Sequence, residues 1–341
     1  MSRVHRAVRV LREDDVRASI DMRSCIDACE RAFAAYSTGS AALPSMISLD
    51  VADHEGEVHV KAGHVRGSGY FAVKVAAWFP GNRERGLPTS DGMVAVFDAR
   101  TGSPAAFLMD NGFITDLRTG AAGGVAARYL APEAVRSVAV IGTGAQARYQ
   151  LDALALVRPG FRRVRVWGRD AARADAATAE LRIRPGLPDG CAFERAASVE
   201  AAVDHADVVI TCTASRAPLL RREWLGSGTH VTAVGADDEG KQELEPSLLA
   251  SADRLVVDSR AQCARIGELH HAIEAGLAEE RQAVELGEIV SGAERGRTSS
   301  EQLTICDLTG VGVQDVAAAN VVMDRAGERG EVVSLDALTP R

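Results

Sequence analysis

Between Asp21 and Tyr36 the apolar residues Met22, Ile26, Cys29, Phe33 and Tyr36 recur at alternating steps of four and three, which predicts an amphipathic helix near the start of the chain. From Met46 to Phe107 the texture changes. The runs MISLDV, VHVKAGHV, YFAVKVAAWF, MVAVFDA and AAFLMD are β-branched or aromatic and often alternate apolar with polar. Clusters of Gly, Asn, Asp and Pro separate them, so an antiparallel or mixed sheet is expected, followed by a helix over Asp116–Tyr129. From Ser137 strand and helix take turns: SVAVIG, a helix from Ala145, RVRVWG, a helix from Ala171, then DVVITCT, HVTAVG and RLVVDS. Short apolar strands between Ala-rich helices imply a parallel sheet covered on both faces. After a helical stretch containing GELHHAIEAG, the segment LTICDLTGVGVQDVAAANVVMDRA reads as one more strand, a Gly turn and a closing helix, and the last dozen residues read as a tail.

One stretch carries chemistry on its face. In VAVIGTGAQARYQ an apolar strand runs into Gly142, Thr143, Gly144, Ala145, Gln146 and Ala147, the strand, tight turn and helix start on which a dinucleotide pyrophosphate rests. The βαβ context strengthens a short Gly motif that also arises by chance. The expected cofactor is therefore NAD(P)(H). An NAD-specific site usually ends its second strand on an acidic residue for the ribose 2′-hydroxyl, whereas here Trp167 and Gly168 lead to Arg169, which suits a 2′-phosphate. Asp170 follows and is the alternative, so the lean to NADP(H) is slight. The placement is unusual, because 137 residues precede Val138.

With 341 residues the chain suits two domains. Its 39 basic and 47 acidic residues give a formal charge of −8, with no basic stripe interleaved with aromatics, so a nucleic-acid partner is not expected. No apolar run reaches 18 residues and MSRVHRAVRVLREDD is too charged for a signal peptide, so the reading is a cytoplasmic protein without a membrane partner. The six cysteines form no CxxC pair and read as reduced, buried thiols, with no metal expected; Cys25 and Cys29 would share a helix face in the core.

The early region finds its place through a resemblance. LPSMISL, FAVKVAAWFPGN, GLPTSDGMVAVFDARTG, MDNGFITDLRTGAAGGVAARYLAP, VAVIGTGAQARYQLDAL, AVGADDEGKQEL and ICDLTGVGVQD, in that order, resemble the ornithine cyclodeaminase and mu-crystallin superfamily over about residues 40–320. HVKAGHVRG, DNGFITDLRTG, RIGELHHAI and LGEIVSG are most similar to its ectoine-utilisation and iminosuccinate reductase branch. The resemblance implies an α/β fold in which a Rossmann dinucleotide-binding domain, 126–305, is inserted into a discontinuous α+β substrate and dimerisation domain, 1–125 with 306–341. It also implies a homodimer in which two N-terminal sheets close a barrel. The first third then holds the substrate, and a late fingerprint is what insertion produces.

The same resemblance assigns roles residue by residue. A matching Lys74 contacts the substrate carboxylate or imine; in an apolar strand its charge is costly to bury without an anion, the alternative being a strand-edge lysine. Arg118 grips the substrate carboxylate, a task suited to a bidentate fork, unless it is structural. Asp237 faces the substrate nitrogen and holds or relays its proton, with Asp238 the neighbouring alternative. Thr89, Thr119, Thr213 and Gly310 match cofactor-contacting positions, for which ordinary loop packing competes. One departure stands out. Where relatives carry a second carboxylate-gripping Arg after a proline, this chain reads Pro44, Ser45, Met46. Lys61, His64 and Arg66 offer positive charge nearby, or else form a solvated hairpin.

The expected function is an NAD(P)H-dependent imine reductase or amino-acid dehydrogenase, iminosuccinate to L-aspartate being the best candidate. The alternatives are an ornithine or lysine cyclodeaminase that recycles bound NAD, and a crystallin-like binding protein without activity.

Overall fold

The computed structural model describes residues 7–335. The chain divides at Arg118/Thr119 and again at Gly310/Val311, so that its two ends build one unit and the middle builds the other. The middle unit starts before and ends after the 126–305 span drawn from sequence; at the first break, helix Phe113–Leu130 carries its first turns in one unit and its glycines in the other.

In the unit formed by the ends, one sheet runs in the order Glu331–Ser334, Ala7–Arg12, Pro104–Met109, Ser90–Asp98, Tyr70–Trp78, Gly56–Val65 and Ala41–Ala42, with Ile47–Val51 also pairing Gly56–Val65. It is mixed: Ala7–Arg12 lies parallel to Pro104–Met109 while the meander from Gly56 to Met109 is antiparallel. Two strands escape the sequence pattern. Ala7–Arg12 sits in an arginine-rich run that hides its alternation, and Glu331–Ser334 falls in the segment read as a tail but pairs with it antiparallel. The tail reading is thus corrected for 331–334, and residues 336–341 lie outside the described residues.

Period-two alternation gives the meander two faces. One buries Ala72, Val94, Val96, Ala106 and Leu108. Helix Gly312–Arg325 lies over strands Gly56–Val65 and Tyr70–Trp78 and against helix Met22–Ser37. The latter is the expected amphipathic helix, capped by Asp21 accepting from Ser24 N (2.8 Å), with Cys25, Ile26, Cys29 and Phe33 buried. At Gly312 a Cβ would come within 2.6 Å of Ala62 O, so only glycine lets this helix start so close to the sheet. The other face presents Val60, Val73, Val75, Met93, Ala95, Phe97 and Phe107, all only half-buried.

The middle unit holds an all-parallel sheet in the order Ala192–Arg195, Arg163–Trp167, Ser137–Ile141, Val208–Thr211, His230–Ala233, Thr304–Asp307, Arg254–Val257, Val284–Glu285. Strand order reverses between Ser137–Ile141 and Val208–Thr211, the switch point beside which dinucleotides bind in such sheets. Helix Phe113–Leu130 crowds helix Ala145–Val157: a Cβ on Gly123 would lie 1.8 Å from Gln150 Oε1, and one on Gly120 2.7 Å from Tyr149 O. Gly120 and Gly123 of LRTGAAGGVAA are there for that approach. Among the described residues no helix is long and apolar enough to cross a membrane.

Candidate active site

In the unit of the chain ends, Lys61 and Lys74 are direct cross-strand partners on the helix-covered face, only 8% and 3% exposed. Like charges placed opposite each other repel, and buried charges need a counter-ion. Asp315, in the first turn of helix Gly312–Arg325, supplies one. Its Oδ1 lies 3.2 Å from Lys74 Nζ and 3.1 Å from Arg118 Nε. The neighbouring Gln314 steadies Arg118 twice, its Oε1 accepting from Nη1 (3.4 Å) and its Nε2 donating to the Arg118 carbonyl (3.3 Å). Asp110 caps the start of helix Phe113–Leu130 by accepting from Ile114 N (2.7 Å).

Burial pushes the Lys74 ammonium down to about 7, Arg118 and Lys61 push the same way, and Asp315 only partly offsets them. Burial alone would raise Asp315, but the charges of Lys74, Arg118 and Lys61 outweigh it and hold the carboxyl below its ordinary range. Burial raises Asp110 to about 6. Three buried cations thus face two buried carboxylates. Asp315 Oδ2 and Asp110 Oδ1 have no hydrogen-bond partner among the described residues. Such a cluster is suited to taking in a further anion.

The lysine grouping drawn from HVKAGHVRG does not hold together. Strand alternation sends His64 to the opposite face from Lys61, and Arg66 lies exposed beyond the strand end, where its backbone N donates to Ser40 O (2.8 Å). Only Lys61 joins Lys74 and Arg118. Thr89 is a half-buried loop residue whose carbonyl accepts from Phe79 N (2.8 Å).

In the middle unit the fingerprint forms a cradle that only its own residues allow. Gly142 has φ +137°, and a Cβ there would meet Cys212 O and Sγ at 2.7 Å. Gly144 caps helix Ala145–Val157 without a side-chain bond, and a Cβ on it would meet nothing within 4 Å, so the helix N-terminus is bare and approachable by a phosphate. Ala147 is fully buried, and Thr143, Ala145 and Gln146 complete the turn. Arg148 donates to Thr143 O (2.6 Å) and Gly144 O (2.9 Å), a brace that the motif does not announce. Gly168 is needed because a Cβ would lie 2.5 Å from Thr143 Cγ2. Arg169 is exposed and makes no hydrogen bond or ion pair among the described residues. Asp170, the alternative ribose partner, caps helix Ala171–Arg182 by accepting from Arg173 N (3.1 Å).

Asp237 and Asp238 follow strand His230–Ala233. Asp238 binds its own loop, accepting from Gly240 N (2.7 Å) and Lys241 N (2.8 Å). Asp237, 44% exposed, pairs with Lys241 Nζ at 2.7 Å. His271 Nε2 donates to Lys241 O (2.8 Å) and steadies the same arm. Glu243 then ties two loops together, accepting from Thr213 N (2.6 Å), Thr213 Oγ1 (2.7 Å) and Gly235 N (2.9 Å). Thr213 is therefore engaged internally. So is Gly310, whose N donates to Asp258 Oδ2 (2.6 Å) and whose carbonyl accepts from Gln262 (3.0 Å). Thr119 accepts from Gln150 Nε2 through its carbonyl (2.9 Å) and leaves its hydroxyl for other partners. His270, His271 and Glu274 bring ligand atoms within 4.8 Å of one another, but Glu274 is exposed and His271 already serves Lys241, so we read them as surface.

Sequence reasoning missed Asp315, Gln314, Glu243, Lys241 and Arg148. A carboxylate and an amide in an otherwise apolar first turn, GVQDVAAA, were the available signal for the first two.

A model of the ornithine cyclodeaminase/mu-crystallin family matches residues 6–330. A Sinorhizobium fredii protein described as an uncharacterized cyclodeaminase is 42% identical over 94% of this chain and 97% of its own length. The iminosuccinate reductase of Paracoccus denitrificans is 35% identical over 94% and 97%. Its structure with NAD+ superposes with a TM-score of 0.85 at 33% identity, covering 97% of this chain and 100% of that one. Thermococcus litoralis Δ1-pyrroline-2-carboxylate reductase with NADH and L-proline gives 0.88 at 30% identity, covering 94% and 98%. An archaeal alanine dehydrogenase dimer with bound NAD gives 0.88 at 34%, covering 97% and 100%.

Proposed function

The chain belongs to the ornithine cyclodeaminase/mu-crystallin family, and from that membership we propose that it is an NAD(P)H-dependent reductase of an α-imino dicarboxylate, iminosuccinate giving L-aspartate. The observation that carries this reading is the buried cluster of Lys61, Lys74 and Arg118. In it Arg118 engages Asp315 through Nε and Gln314 through Nη1, which leaves Nη2 for the α-carboxylate. Lys74 lies beside it for the same carboxylate, and Lys61, opposite Lys74 in register, is placed for the second one. Gly142 to Ala147 hold the pyrophosphate. Nicotinamide, when bound, supplies the hydride for the imine carbon. Asp237, as the carboxylate paired with Lys241, accepts from the N–H of the protonated imine, so that the proton is already on nitrogen when hydride addition makes the amine. The half-buried apolar sheet face is the surface for a second copy of the chain, in keeping with the dimer of the archaeal relative.

Iminosuccinate formed from oxaloacetate and ammonia should be reduced with kcat/KM about tenfold or more above Δ1-pyrroline-2-carboxylate or iminopropionate, roughly 1.4 kcal/mol of discrimination. Lys61→Ala should erase most of that preference and spare the monocarboxylates. Equal loss on all substrates would remove Lys61 from recognition. Ammonia release from ornithine without net cofactor turnover would replace the reductase reading with a cyclodeaminase.

Arg169 bears on the choice of cofactor. Free of internal partners beside the fingerprint, it is the residue we assign to a 2′-phosphate. Arg169→Ala should weaken NADPH by about 1–3 kcal/mol and leave NADH unchanged in a fluorescence titration. Equal weakening of both would mean that Arg169 serves the adenine instead.

A further inference from the structure

We propose that Asp315 is a positioning residue that, through Lys74, couples capture of the substrate carboxylate to uptake of one proton from solvent. The proposal rests on the reading that Lys74 and Arg118 receive that carboxylate. Asp315 touches both with a single oxygen, Oδ1, at 3.2 and 3.1 Å, while Oδ2 is buried without a partner. One carboxylate is thus divided between two cations, and a third, Lys61, faces Lys74 across the strands.

The groups that face Lys74 are few. Asp315 and Gln314 come from helix Gly312–Arg325, Lys61 from strand Gly56–Val65, Arg118 from helix Phe113–Leu130, and Asp110 from the turn before it. Cys25 and Cys29 of helix Met22–Ser37 lie beside Arg118, and burial and mutual contact keep the Cys25 thiol protonated. Lys74 titrates near 7 in this setting, so in the free protein above neutrality its amine is largely neutral. A bound carboxylate adds the negative charge that Asp315 alone does not supply and draws a proton onto Nζ: Lys74–NH2, H+ and R–COO− become Lys74–NH3+ paired with R–COO−. No electrons move.

The sign of a change at Asp315 follows. Asp315 stabilises the ammonium, so removing its charge lowers the pH at which free Lys74 gives up its proton, and the range over which anion binding takes one up moves down with it. Asp110, raised to about 6, contributes only at the acid end.

Succinate, titrated calorimetrically into the NAD+-loaded protein in buffers of different ionisation enthalpy, reads the proton count directly and needs no turnover. At pH 6 the wild type should take up only the part of a proton that Asp110 contributes, and by pH 8 it should approach one proton per site, through Lys74. In Asp315→Asn the rise should begin about one pH unit lower or more, the scale on which a neighbouring charge acts. In Lys74→Gln, the second variant should the first not fold, uptake above pH 7 should vanish while the Asp110 contribution near pH 6 remains. Coincident uptake curves in wild type and Asp315→Asn, or uptake above pH 7 that survives Lys74→Gln, would overturn the proposal while leaving the anion site intact. Failure of the wild type to bind succinate would instead remove the anion site itself, and the proposal with it.

Discussion

Arg118→Lys is expected to lower kcat/KM for the imino acid by about a thousandfold, roughly 4 kcal/mol, while NADH affinity stays within about twofold. Arginine here does two things at once: Nε and Nη1 are fixed by Asp315 and Gln314, and the same planar group keeps Nη2 as a further donor. A lysine offers one point charge on a flexible stem, so it cannot satisfy Asp315 and a substrate together. Inside a buried cluster the loss is the larger because, with one point charge for two anions, either Asp315 or the substrate carboxylate is left unpaired, and an unpaired buried charge typically costs about 3–5 kcal/mol. Steady-state kinetics beside a fluorescence titration of NADH checks this, with thermal unfolding to confirm that the variant folds. A loss under about tenfold would make Arg118 structural.

Asp237→Asn should cut kcat by about a hundredfold or more, the scale of a lost general acid, with KM and dinucleotide affinity little changed. The substitution preserves shape and the contact to Lys241, and it removes the group that holds a proton on the substrate nitrogen. Asp238→Asn is the control: that side chain spends Oδ1 on the Gly240 and Lys241 amides and its Oδ2 lies 3.3 Å from Lys241 Nζ, so its loss should reach turnover only indirectly, through the loop and Lys241, with a much smaller effect on kcat than Asp237→Asn. If the two substitutions exchange effects, the catalytic role belongs to Asp238. Near-normal turnover in Asp237→Asn would leave the proton to another donor, with Lys74 the first to test.

Much of the framework is written locally. The 3.6-residue stripe of helix Met22–Ser37, the alternation in the meander and the strand and Gly turn before Ala145 each depend on neighbours within a few positions, and short-range sterics and burial reproduce them in the fold. Gly142 and Gly144 are legible as part of the fingerprint, although the contacts that exclude a Cβ at 142 and 168 come from Cys212 and Thr143, well away along the chain. Ala7–Arg12 was hidden because a strand rich in arginine carries little apolar alternation, and the edge strand Glu331–Ser334 because its pairing partner lies at the far end of the chain.

The charges obey another rule. Whether a lysine in an apolar strand is a surface residue or part of an anion site depends on what stands opposite it, and no window around Lys74 contains Asp315, just as none around Arg118 does at 197 residues' separation. Register turned Lys61 inward and His64 outward, although the two lie three apart in one motif. Packing gave Thr213 to Glu243 and Gly310 to Asp258, which their motifs alone did not disclose. The sequence by itself determined most of the elements and the cradle, because these follow from local geometry and periodicity, whereas the inserted cofactor domain is what the family resemblance implies. Only the tertiary structure decided which polar groups are paired and which keep a free edge, because electrostatic balance in a buried site is set by distance in space, and the fold brings together carboxylates and cations that the chain keeps far apart.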